Sequence, residues 1–403
     1  MRIVPKVADR RVAPNSVRSA VALSLDQESL VARFSAPARR EVRRLMRSSE
    51  RVADLARAFP GALHALATRR GSSTTRLQAL SQIEQGAPLK LVAQTLDLPL
   101  WLKKLPPEAF DGPLEEVPGS ESFTRRIATR LPGDAAESAR WLSAVCFASR
   151  AGHEDFAAWI AEQPIYEEPA TVDRLLAVIA AYSWFSQAPQ TRAHSLIVVP
   201  WRAEIAFDTA VCAAKSWLNR MRLVMQLRHG VITEPWLVAG EAMGYTFVPL
   251  VDDQEILEEA HAMQNCADQY ADRLSRDKCR LFSIRHSGTR IATMEIGPHT
   301  RESGVLTITQ LKARHNMPAP VDVWRAAHGW LATQPGLKRL PPMIAPERPL
   351  DNNTWVELMR PYREAKGGAP WLAETATHGA LTVLDVELAD LARRGSVTSW
   401  LFT

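Results

Sequence analysis

The chain has 403 residues, 46% of them apolar and 23% charged, with a formal net charge of +5. That balance is long enough for two or three domains, each burying its own core, and it excludes fibrous and generally disordered classes. Four cysteines (Cys146, Cys212, Cys266, Cys279) lack CxxC spacing, so neither a disulfide framework nor a zinc ribbon is indicated. No apolar run approaches the roughly 20 residues of a membrane span, and no apolar signal core is visible. The expectation is a cytoplasmic protein with no membrane partner.

Residues 1 to 50 carry eleven Lys/Arg against five Asp/Glu, which leaves the remaining chain close to neutral. This segment reads as a basic arm. Its densest part, "ARREVRRLMRSSERV", has helical character, with Arg39-Arg40 and Arg43-Arg44 one turn apart and Arg47 beyond. Such a row can lie along phosphates, each contact releasing a counterion. A solvated arm that keeps the chain soluble has the same composition.

Residues 51 to 230 read as a helical domain, with apolar residues at three- and four-residue spacings broken by Pro or Gly. Two short helical segments joined by Gly-Ala-Pro have the outline of a helix-turn-helix, although any small bundle gives that spacing. "LDLPLWLKKLPPEAF" predicts a tight connection anchored by Trp101. The other tryptophans of this region (Trp141, Trp159, Trp184, Trp201, Trp217) are expected in cores or at groove edges.

Residues 231 to 335 change period. "GYTFVPL" predicts a short strand, and "DDQEILEEAHAMQNCADQYADRLSRDK" an amphipathic helix with acids in its first turn, where they favour the helix dipole. Three strand-like runs follow, "RLFSIRH", "TRIATMEIG" and "VLTITQLKA", the first two joined by a Ser-Gly turn suited to a tight hairpin. A meander packed on the preceding helix results, and "APVDVWRAAHGWLATQ" adds another helix. Residues 336 to 403 read as a C-terminal wrap, Pro-rich around 341 to 349, and a closing helix. The predicted class is α+β and mainly α, a helical N-terminal region followed by a small antiparallel sheet packed on helices.

On a single helix, Glu259, Met263, Cys266 and Tyr270 would share one face. Met263 and Cys266 would fill core, while Glu259 and Tyr270 would border a polar pocket whose other wall includes Gln310. An acid on an apolar stripe needs water or donors. Asn265, Glu295, Lys312, His315 and Asn316 come from the same helix and strands, and a convergence of such groups marks a candidate site. The bland alternative is that they satisfy backbone groups and each other.

The motif E-x-x-x-M-x-x-C-x-x-x-Y (Glu259, Met263, Cys266, Tyr270), together with "LPLWLKKLPPEAF", "SIRHSGTRIATMEI" and "QLKARHN", carries a resemblance. Across residues 95 to 332 the chain resembles the PcfJ-like proteins, named for a component of a conjugative-plasmid DNA-processing complex. Where that family has Glu-Gly, His-Cys and Gln-x-x-Gly, this chain has Ala260, Asn265 and Ala313. The resemblance implies a DNA-associated accessory or processing protein of a mobile genetic element, with nucleic acid as partner.

Two other readings stand beside it. Glu295 on one strand and Gln310 and Lys312 on the next have the outline of a metal-dependent nuclease, in which the acid and the amide hold a Mg2+ ion and the lysine assists the attacking water. That geometry needs Glu295 to share a face with Gln310 and Lys312, and apolar residues on both faces leave the register open. A helical scaffold that binds protein partners is the third reading. Nucleotide phosphate loops and H-E-x-x-H are absent. Cys266 would need a base, with His261 on another side of the helix and His315 the nearest alternative.

Overall fold

The computed structural model describes residues 22–163, 169–227, 235–302, 304–335, 337 and 349–399. The first 21 residues of the basic segment and most of the irregular stretch expected near 341–349 lie outside the described residues. The chain divides into two compact units, Met1–Cys146 and Phe147–Thr403.

The first unit is helical: α1 (Leu25–Ala32), α2 (Ala36–Met46), α3 (Glu50–Ala58), α4 (Pro60–Ala67), α5 (Ser73–Glu84), α6 (Leu89–Thr95), α7 (Glu121–Ile127) and most of α8 (Ala135–Ala151). Over its described part the basic segment is folded rather than arm-like. Ala38, Val42, Leu45 and Met46 recur at helical spacing and are buried, so α2 must pack its apolar face whatever its arginines do. The proline-rich connection is anchored as its sequence suggests, with Trp101 donating its indole N–H to the Pro118 carbonyl at 3.0 Å.

The second unit holds α9 (Glu154–Ala161), α10 (Pro169–Ser186), α11 (Arg192–Ser195), α12 (Phe207–Leu227), α13 (Asp253–Met263), α14 (Ala271–Ser275), α15 (Val321–Ala332), α16 (Asn352–Ala365) and α17 (His378–Ser399). It also holds one antiparallel sheet of β1 (Gly240–Ala242), β2 (Tyr245–Leu250), β3 (Arg280–His286), β4 (Thr289–Pro298) and β5 (Leu306–Ala313), in that spatial order. The mainly helical α+β class is therefore as expected. Met243-Gly244 and Ser287-Gly288 close the two tight hairpins, all four residues at positive φ, as two-residue turns matched to strand twist require.

Alternation sorts the sheet into two faces. Phe247, Phe282, Ile284, Ala292, Met294 and Leu311 pack on Val323, Ala327 and Trp330 of α15. Leu250 and Leu281 face the other way, into a cluster with Leu223, Ile256, Ala260 and Leu274 from α12, α13 and α14. Covered on both sides, the central strands carry apolar residues on both faces, interrupted by a few buried polar groups such as Ser283, Thr293 and Glu295.

The first unit buries a neutral histidine and the second holds one that is half-buried. His64 of α4 is 1% exposed. Its Nε2–H donates to the Gly112 carbonyl at 2.9 Å, and its Nδ1 is buried without a partner among the described residues. In the second unit His153 caps α9, Nδ1 accepting from the Phe156 N–H at 3.3 Å while Nε2 lies 3.0 Å from the Ser183 hydroxyl. Burial lowers both pKa values from the ordinary histidine value. The unfolded chain thus binds protons at these sites before the folded chain does. Stability should be level above about pH 6.5 and fall as pH drops below it, by up to about 1.4 kcal/mol per pH unit for each histidine. Urea midpoints measured from pH 8 to 5 check this, and the slope should flatten in His64→Gln and His153→Asn.

Candidate functional site

The predicted single helix is broken. Asp252 caps α13 by accepting from the Glu255 N–H at 2.7 Å, but Gln264 turns left-handed (φ 48°, ψ 49°) and ends the helix. Asn265 accepts the Ala267 N–H at 3.0 Å and donates its amide to the Thr293 hydroxyl at 2.8 Å, replacing helical bonds with a tie to β4. A 3-10 turn over Ala267–Gln269 and the short α14 follow. Glu259, Met263, Cys266 and Tyr270 therefore do not share one helix face. Met263 is buried as expected, whereas Cys266 is half-buried, because it lies beyond the end of α13.

Glu259 is 0% exposed and lines neither of the two cavities beside the end of α13. Its carboxylate accepts from Arg290 Nε at 3.0 Å and from the Thr293 hydroxyl at 2.7 Å, which continues the chain to Asn265. A second network lies next to it on the same sheet face. Glu295, 3% exposed, takes both Arg273 Nη atoms (2.5 and 2.8 Å), the Tyr270 hydroxyl (2.9 Å) and the Thr309 hydroxyl (2.6 Å). The Tyr270 hydroxyl also lies 2.6 Å from Gln310 Oε1, and the Arg273 guanidinium sits 5.3 Å from the centre of the Tyr270 ring. Burial and the adjacent Glu295 raise the phenol's pKa, so it acts as a donor.

Register brings the strand residues together. Glu295 pairs with Gln310 and Thr293 with Lys312, so all four share a face. A bulge follows Glu295, since Ile296 pairs with Ile308 and Thr309 is the extra residue. Strict alternation would put Leu306 and Ile308 on the face of Gln310 and Lys312; the bulge instead turns Leu306 and Ile308 towards α15 and Gln310 and Lys312 towards α13. The cavity walled by Tyr270, Glu295, Gln310, Lys312, Cys266 and Asn316 holds only about 20 Å3, roughly one water. His315 and Asn316 are exposed and successively left-handed (φ 59° and 58°), a strained turn at the end of β5.

The shared face meets the register that a metal-dependent nuclease needs, but the carboxylate has no open position. Both Glu295 oxygens are held by a guanidinium, so a cation could enter only by displacing Arg273. Among the described residues no group of three or more His, Cys, Asp or Glu could hold a metal ion. Cys266 Sγ has Asn316 Oδ1 at 3.7 Å as its hydrogen-bond partner, and no base contacts it among the described residues. Cys279 is a core thiol whose pKa burial raises to about 12.

The basic helix spends most of its charge internally. Arg39 donates to the Phe34 carbonyl (2.8 Å), Arg43 pairs with Glu28 (2.9 Å) and Arg44 with Glu41 (2.5 Å), while Arg47 lies 3.7 Å from Glu28. Arg40 is exposed and has no side-chain partner among the described residues. Sequence reasoning missed the arginines that hold the acids, Arg273 and Arg290, and a third buried pair, Arg220–Asp268 at 2.5 Å. The available signal was Thr293 and Glu295 standing inside an otherwise apolar strand, since buried acids imply cations nearby. No family model, curated protein or solved structure matches this chain.

Proposed function

We propose that this chain is a nucleic-acid-associated protein of the kind its PcfJ resemblance implies, acting through binding at the α13–β5 site rather than through metal-assisted cleavage. One observation carries the reading, the charge balance of the site. Glu259, Glu295 and Asp268 are each matched by an arginine, whereas Lys312 and Arg314 have no acidic partner among the described residues. The surplus is positive and lies beside the strained 314–316 turn, where backbone and cations can meet a phosphate.

Fluorescence anisotropy with single-stranded and duplex DNA, titrated between about 50 and 200 mM salt, tests it. Affinity should fall steeply with salt. Changing both Lys312 and Arg314 to alanine should flatten the log–log slope by about 1.5 to 2, with little change in stability because Arg314 is exposed and Lys312 half-exposed. Absence of binding at the lowest salt, or an unchanged slope in the double variant, overturns the reading. The shared face of Glu295, Gln310 and Lys312 favours one competitor. A strand cut in the presence of Mg2+ and intact with chelator would replace binding with hydrolysis.

A further inference from the structure

A cleft of about 540 Å3 opens beside α12, the end of α13 and the Ala267–Gln269 turn. Arg220 of α12 lines it while being only 7% exposed. Its Nε donates to Asp268 Oδ2 at 2.5 Å, and Asp268 is itself 3% exposed on the 3-10 turn. Neither Nη nitrogen of Arg220 has a hydrogen-bond partner among the described residues, and neither is among the fully buried atoms left unpaired. Both therefore keep surface, on a residue that lines the cleft. The guanidinium is planar and rigid, so fixing Nε to Asp268 fixes the direction of the Nη fork.

We propose that this cleft binds the phosphate of a nucleotide-sized ester, with two phosphate oxygens on the Arg220 fork. A fork fixed in direction at the cleft surface, with no acceptor among the described residues, has as its geometric complement a pair of oxygens on one centre. The space is large for phosphate alone. Val198 and Val199, both nearly half exposed, give the cleft an apolar wall, and Ser216, Gln269 and Asn316 bring hydroxyl and amide groups. That combination suits a sugar and a base beyond the phosphate. Asp268 cancels the arginine's charge, so recognition here rests on directed hydrogen bonds rather than net attraction. Binding should depend weakly on salt, unlike the surface contact at Lys312 and Arg314.

Two sources carry this chemistry, a free nucleotide or the phosphorylated end of a strand, and only the second rests on the nucleic-acid reading above. Isothermal titration of the full chain with adenosine monophosphate, adenosine, and a short single strand bearing either 5′-phosphate or 5′-hydroxyl separates them. Adenosine monophosphate should bind at least about tenfold tighter than adenosine. Arg220→Lys, which keeps the charge and loses the fork, should remove that preference. Ser216→Trp fills the cleft while replacing neither member of the Arg220–Asp268 pair and should block binding. It serves as well if Arg220→Lys does not fold. In the unmodified chain, ligand should slow maleimide labelling of Cys212, an exposed thiol on the same cleft. Preference for the 5′-phosphate strand with no binding of the mononucleotide assigns the strand end. Loss of strand binding in the Lys312/Arg314 variant with mononucleotide binding retained leaves the cleft assigned and removes only the surface reading. Equal binding of adenosine and its monophosphate, no binding of any probe, or full binding by Ser216→Trp overturns the proposal.

Discussion

Replacing Arg290 by leucine should cost about 3 kcal/mol of unfolding free energy, the low end of what breaking a buried ion pair costs. Glu259 has no exposed surface, and among the described residues Arg290 is its only charged hydrogen-bond donor. Without it the carboxylate keeps a single neutral donor, the Thr293 hydroxyl at 2.7 Å. The Arg290 side chain is 29% exposed, so water entering at that edge relieves part of the loss and holds the figure down. Glu259→Gln should cost less than about 1.5 kcal/mol, because a neutral amide can keep the Thr293 bond. The double variant should then recover most of the Arg290→Leu loss, a coupling that urea unfolding of the four proteins measures directly. Arg273→Leu should cost less than Arg290→Leu. Its side chain is 45% exposed and Glu295 retains two hydroxyl donors, from Tyr270 and Thr309. A loss below about 1 kcal/mol in Arg290→Leu would mean that Glu259 is held by something other than this pair.

Strands were legible where alternation and turn chemistry agreed. The three runs from 280 to 313 and their Ser-Gly hairpin are in place, whereas β1, three residues long, is too short to show a period. Its trace in the sequence was only the Met243-Gly244 turn. The break after Met263 was not legible, because the polar and apolar pattern continues through Gln264 at helical spacing. What stops the helix is Asn265 reaching Thr293, 28 residues further along, a tie no local window contains.

Convergence of Tyr270, Glu295, Gln310 and Lys312 was foreseen in outline, but the face they occupy was not. Both faces of the sheet are covered by helices, so hydrophobicity could not fix parity. Parity also changes at the Thr309 bulge, which turns Ile308 and Gln310 to opposite sides. One clue stood in the sequence. Gly297 lies inside a strand, and a Cβ there would come within 2.9 Å of Thr309 Cγ2, so the bulge depends on a residue without a side chain. The arginine partners were missed for a different reason. Arg273 and Arg290 occupy positions where long cations are ordinarily solvated, and only the burial of Glu259 and Glu295 gives them work.

Trp330→Ala should be the most damaging single change in the sheet domain, about 4 kcal/mol, in the range for deleting a buried indole. Trp330 is 1% exposed, stacks on Phe247 with ring centres 4.7 Å apart at 9°, and meets Phe282 at 5.1 Å. Removing it opens a void against the face of β2 and β3 that α15 covers. Trp330→Phe should behave very differently. The indole Nε1 is buried with no partner among the described residues, a penalty of about 1 to 3 kcal/mol that phenylalanine removes. Against that gain stands the smaller ring, so the two terms should nearly cancel and leave a change within about 1 kcal/mol. Thermal or urea unfolding of both variants decides it, and a phenylalanine variant as unstable as the alanine one would show that indole shape, not burial, holds the layer. Trp330 lies across the sheet from Glu295 and Lys312, so the phenylalanine variant should bind nucleic acid with the affinity and salt slope of the parent.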